Sequence, residues 1–109
     1  MTRKAIVPLI CSLAISSVVL DASAINIRAG TSCGQWVSEK GTWEGAGSNR
    51  WLLGFLSGLA AGSTKDILKG VDNESVYLWV DNYCRANPLR GIDEAGWELY
   101  SSLVKQKRL

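Results

Sequence analysis

Val76–Pro88 reads VYLWVDNYCRANP. Val76, Tyr77, Val80, Tyr83 and Cys84 recur at the 3.6-residue spacing of one helix face. Trp79 falls on the flank of that face, and Asp81 and Asn82 are expected to point outward. Asp72 or Asn73 can cap the start, and Glu74 places a negative charge in the first turn, where the helix dipole favours it. Arg85 suits the opposite end. Pro88 pushes Asn87 out of helical geometry and stops the element. The stretch is therefore a short amphipathic helix with a cysteine in its last turn.

The fate of that cysteine depends on the start of the chain. Arg3 and Lys4 form a basic segment, Ala5–Leu20 is an apolar run, and Ala22-Ser23-Ala24 is a small-x-small cleavage site. This is the pattern of a secretory signal peptide over residues 1–24. The apolar run is shorter than the roughly 20 residues a membrane span needs. Cys11 lies within it and follows Ile10, not the small residue a lipid-anchor signal requires. Cleavage after Ala24 would leave a single domain, residues 25–109, in an oxidising compartment, most simply a bacterial periplasm. Of the three cysteines, only Cys33 and Cys84 would then remain. An even pair in that setting reads as a disulfide. The alternative is two buried free thiols.

Three further helices are expected around this one. Ser32 and Gln35 form a capping-box pattern ahead of Cys33, Trp36 and Val37, and this first helix should end near Lys40-Gly41. Gly41–Asn49 is a loop by composition, with Trp43 and Glu44 in it. The second helix should run from about Asn49 to Ala61, with an apolar stripe at 51, 52, 55, 56 and 59. Gly54, Gly58 and Gly62 line a second face, which is expected to let a neighbouring helix approach closely. Polar residues are scarce on this helix, so it is expected to be the most buried. Ser63 or Thr64 can open a short turn holding Ile67 and Leu68 and ending at Gly70. After Pro88, the fourth helix runs from Ile92-Asp93 to about Lys105, with Ile92, Ala95, Gly96, Leu99 and Leu103 inward. No strand-period segment and no internal repeat is present. The fold expected is all-helical, a small orthogonal bundle of four to five short helices pinned by one disulfide. The face of Val76–Cys84 is expected to be the seam on which the first and second helices close.

Much chemistry is excluded by composition. The chain has no histidine, which removes the commonest general base and zinc ligand. Its net charge of +2 gives no basic field for nucleic acid. With both cysteines bonded, no nucleophile has a recognisable setting. No cofactor or metal is expected, and no catalytic residue is assigned. Asp81 and Glu44 are the carboxylates that a small cell-wall hydrolase would have to use. Gly45-Ala46-Gly47-Ser48 could cradle an anion but lacks the flanking strand and following lysine of a phosphate loop. Five tryptophans remain, at 36, 43, 51, 79 and 97. Most are core filler. Trp43, Trp79 and Trp97 are the candidates for a partner surface, because such rings give large contact area at low entropy cost.

Three marks carry a family resemblance: Cys33 with Trp36 at the first helix, Trp51-Leu52-Leu53-Gly54-Phe55-Leu56-Ser57-Gly58 in the second, and Cys84-Arg85-Ala86-Asn87-Pro88 closing the third. In this order, behind a signal peptide and ahead of a last helix, they resemble the HdeA/HdeB superfamily across almost the whole of residues 25–109. The resemblance implies a small all-helical periplasmic domain with Cys33 bonded to Cys84. It also implies a non-catalytic protein binder. Members include acid-activated chaperones, which are dimers at neutral pH, and relatives include Rap/Tai-type immunity proteins that neutralise a toxin. The partner would then be a client, a toxin or a component of an apparatus, and a homodimer is one form open to the chain. The alternative functions are an accessory protein of a conjugation or secretion system and a small cell-wall-acting enzyme.

Overall fold

The computed structural model describes residues 25–28 and 30–109. The signal peptide read in residues 1–24, with Cys11, lies outside them. The described chain is all-helical and carries one disulfide, Cys33–Cys84. Its elements are α1 (Cys33–Ser38), α2 (Trp43–Ser63), α3 (Asn73–Ala86) and α4 (Ile92–Lys107). Among the described residues the only β-type pairing is an isolated bridge, Ser32 with Gly91.

Three of the four helices, α1, α2 and α3, start at a side-chain cap. Ser32 accepts from the Gln35 amide at 3.2 Å while the Gln35 side chain reaches back to the Ser32 amide, completing the box. Asp72 accepts from the Ser75 amide at 2.6 Å and starts α3. That contact holds the Asp72 carboxyl below its ordinary pKa of 3.8, chiefly through the hydrogen bonds from Ser75. A folded-state pKa lowered in this way contributes stability above the unfolded value, and loses it as pH falls through the folded one. The Asp72→Ala variant is therefore expected to melt below the parent at pH 7. The difference in Tm should shrink once the pH drops below 3.8, which a pair of thermal melts would show.

The start of α2 departs from expectation. Gly41–Asn49 is not a loop: Thr42 caps a helix that begins at Trp43 and runs to Ser63. Only Gly41, at φ +82°, keeps the turn geometry that ends the preceding segment. Gly45 is buried because α2 turns directly under the end of α1. A Cβ at 45 would run into the Glu39 carbonyl oxygen. The glycine signal was real, but its cause is a close approach inside a helix.

α2 also packs differently from expectation. It lies chiefly on α4, whereas α3 packs on α1 and α4. The face of α3 is thus the seat of α1, and it is not the seam for α2. Only Gly45, Leu52 and Leu56 of α2 are buried, so this helix is not the most enclosed one. A Cβ at Gly54, Gly58 or Gly62 would meet nothing within 4 Å. No helix is admitted by that line. The glycine that does admit a neighbour is Gly96 of α4, where a Cβ would stand 2.7 Å from the Phe55 ring. These facts set opposite expectations for one chemical change. Gly58→Ala should stabilise by about 1 kcal/mol, because helix propensity alone is at stake. Gly45→Ala should destabilise by about 1–3 kcal/mol through overpacking. Urea midpoints of the two variants would check both signs.

The other stripes fall as read. Ile92, Ala95, Gly96, Leu99 and Leu103 of α4 are all buried, and the helix continues to Lys107. Val76, Val80 and Cys84 of α3 join them, with Ile67 from the turn that ends at Gly70 (φ +74°). The segment before α1 is less loose than its composition implies, since the Arg28 carbonyl accepts from the Trp51 indole at 3.2 Å.

The Asn87-Pro88 turn does more than end α3. The Cys33 amide donates to the Arg90 carbonyl at 2.7 Å and the Gly34 amide to the Pro88 carbonyl at 3.2 Å. With the Ser32 side chain serving the Gln35 amide and the Gln35 side chain serving the Ser32 amide, all four otherwise unpaired N–H groups at the start of α1 are satisfied. Half of that satisfaction comes from a turn more than fifty residues away.

Candidate functional site

The disulfide sets the register of the site. α1 and α3 meet at Cys33 and Cys84, and their successive turns then face each other in opposite directions. Trp36 lies three residues after Cys33, and Asp81 three residues before Cys84. The Trp36 Nε1–H donates to Asp81 Oδ1 at 2.7 Å, and the Lys40 ammonium pairs with Asp81 Oδ2. One turn further along α3, the Tyr77 ring lies 6.3 Å from the Trp36 ring, tilted by 53°.

Asp81 does not point outward, as its charge had implied. Its side chain is 4% exposed, against 55% for Lys40. It is the one charged residue in the buried interior of the described chain. A buried carboxylate persists only when paired and hydrogen-bonded, and Asp81 has both partners. Its placement was readable from spacing: residue 81 is four past Tyr77 and three before Cys84, well inside the inward arc of the helix. What misled was residue type. Its partners lie 45 and 41 residues away, beyond the reach of local patterning.

These groups floor a cleft of about 510 Å³ between α1, the first turns of α2 and α3. Trp36, Tyr77 and Leu78 give it apolar walls; Lys40, Asn49, Glu74 and Asp81 give it polar ones. Gly41 and Gly45 complete the rim. The Tyr77 hydroxyl is held above its ordinary pKa, first by burial and then by the nearby Glu74 charge, with Arg50 opposing. It is therefore a neutral donor at physiological pH. The cleft thus offers a fixed buried anion, a movable lysine and two aromatic faces.

The three tryptophans read as a partner surface fall in three neighbourhoods. Trp43 is 81% exposed at the start of α2, two residues from both Gly41 and Gly45 at the cleft rim. Trp79 is half-buried and stacks on Tyr83 at 5.7 Å. Trp97 belongs to an aromatic row across α2 and α4: Trp51 stacks on Phe55 at 5.1 Å, Phe55 meets Trp97 edge-on at 6.1 Å, and Trp97 meets Tyr100 at 5.8 Å. Of the three, Trp43 is the most exposed, and its ring does not line the cleft. Leu78, 61% exposed, is the large apolar side chain that does.

Glu44 sits exposed in the first turn of α2, where it complements the helix dipole. Among the described residues no group of three or more Cys, Asp or Glu side chains is placed to hold a metal ion. None of the described helices is long and apolar enough to cross a membrane. Compared with protein-family models, with characterised proteins and with solved structures, the chain gives no match.

Proposed function

We propose that this chain is a small exported, non-catalytic protein-binding domain on the HdeA/HdeB plan, acting as a periplasmic chaperone or an immunity-type binder. The observation that carries the reading is the rim of the cleft. Leu78 lines a recess over the buried Asp81 and is left facing solvent, and Trp43, 81% exposed, starts the helix that supplies Gly45 and Asn49 to the same recess. Exposed aromatic anchors next to a concave site are the usual core of a protein interface. The buried disulfide and the helix order support the plan and an oxidising compartment.

The test is affinity capture from the native periplasm with the parent protein and a Trp43→Ser, Leu78→Ser variant. One stoichiometric partner, lost in the variant, supports an immunity or apparatus role. A spread of unfolded clients, captured only in acid, supports the chaperone role. The chaperone form makes a further demand, that near-ultraviolet circular dichroism and dye binding change as pH falls to about 3. Recovery of the same proteins by parent and variant would count against the reading.

A further inference from the structure

We infer that the cleft over Asp81 is a receptor for a positively charged side chain, a lysine or arginine of the partner protein, and that Lys40 occupies it in the partner's absence. The inference rests on the binding role proposed above and names the chemistry of what is bound.

The two members of the Lys40–Asp81 pair differ in mobility. Asp81 is enclosed, and Trp36 holds one of its oxygens at 2.7 Å. Lys40 is 55% exposed and sits on a flexible stem just beyond the end of α1. Of the two, only Lys40 can leave. When it leaves, Asp81 keeps a neutral donor but loses its counter-ion, and a buried charge without one is strongly unfavourable. The group that replaces Lys40 must therefore be a cation. The remaining walls agree: Trp36 and Tyr77 line the cleft, and aromatic rings attract ammonium and guanidinium groups. Glu74 adds a second carboxylate, and it forms no salt bridge among the described residues. An anion would have to take Lys40 from Asp81 and then sit against two carboxylates. The occupant comes from a protein because Leu78 lines the opening with exposed apolar surface, and Trp43 adds more on the adjoining first turn of α2, surface that a free amine would not cover.

Lys40 then acts as a built-in competitor, so the apparent affinity for a partner cation is reduced by the fraction of time Lys40 is bound. The experiment is a titration of the purified protein followed by the Trp36 indole N–H resonance. The probes are N-acetyl methylamides of lysine, arginine, norleucine and glutamate, together with putrescine. The lysine and arginine probes should shift the Trp36 signal, and the norleucine and glutamate probes should not. Lys40→Met, which keeps the stem and removes the charge, should tighten the cationic probes about tenfold. Asp81→Asn should abolish their binding. Should that variant fail to fold, Glu74→Gln, at the end of an exposed first turn, should weaken them about threefold. Equal binding of lysine and norleucine probes would overturn the inference, as would a Lys40→Met variant that binds no tighter. Putrescine binding tighter than the lysine probe would overturn the assignment to a partner's side chain. Trp43-dependent capture of a partner with a silent cleft would sink this inference alone. A responsive cleft with no Trp43-dependent partner would sink the binding role and leave a cation site.

Discussion

Replacing Cys33 and Cys84 together by alanine is expected to remove about 4 kcal/mol of stability. The bond joins residues 51 apart in sequence. In the denatured chain, cutting it releases a loop of that length, and the gain in chain entropy falls wholly on the unfolded side. Small domains have about 5–15 kcal/mol in total, so the loss takes about a quarter or more of what is there. Both cysteines are fully enclosed, so the variant also gives up close contacts between α1 and α3. Urea unfolding of the oxidised parent, the reduced parent and the variant would measure it. The slope of the unfolding line should rise as well, since a chain freed of its crosslink exposes more surface on unfolding. A loss below about 1 kcal/mol would mean that main-chain docking of α1 carries the contact without the bond.

Trp36→Ala is expected to cost about 3–5 kcal/mol, the usual range for deleting a large enclosed aromatic side chain. Trp36 is buried against α3, and its indole also serves a second purpose, as the neutral donor to Asp81. The two contributions separate in Trp36→Phe, which keeps most of the ring and loses the N–H. That variant should cost about 1–3 kcal/mol, the penalty for leaving a buried polar group short of a partner. Combined with Asp81→Asn, it should show a coupling of at least about 0.5 kcal/mol, because the two residues share one hydrogen bond. A neutral Trp36→Phe with no coupling would mean that Asp81 is held by Lys40 alone.

The fold was legible where local rules and tertiary needs agree. The stripe from Ile92 to Leu103 was readable because all five inward residues are apolar or small and all five are buried. The Ser32–Gln35 box was readable because capping is local. The pair of cysteines was readable because, with Cys11 falling in the expected signal peptide, Cys33 and Cys84 have no competing partner. The start of α2 was not, because Gly45 and Gly47 look like loop residues until the Glu39 carbonyl is known to lie against the helix. The glycine line at 54, 58 and 62 pointed to a helix contact that the described chain does not make. The cleft was missed for a related reason. Asp81 was assigned to the surface by its charge, although its spacing from Tyr77 and Cys84 placed it inward. Its counter-ion and donor are brought to it only by the crosslink. A sequence reading that had carried the Cys33–Cys84 pairing one turn further would have set Trp36 opposite Asp81.

The two hydrogen bonds from α1 to the Asn87-Pro88 turn also govern timing. A helix of six residues has no independent existence in water, since nucleation alone exceeds what so few bonds return. α1 therefore forms only as it lands on the turn, and it leaves as one cooperative unit. Its first two amides, Cys33 and Gly34, are protected by carbonyls of that turn, so their hydrogen exchange reports the departure of this unit and not the melting of α4. The same departure bares the enclosed sulfur atoms to a thiol reagent. The rate of reduction by a small dithiol and the exchange rate at Gly34 should accordingly rise and fall together across solution conditions.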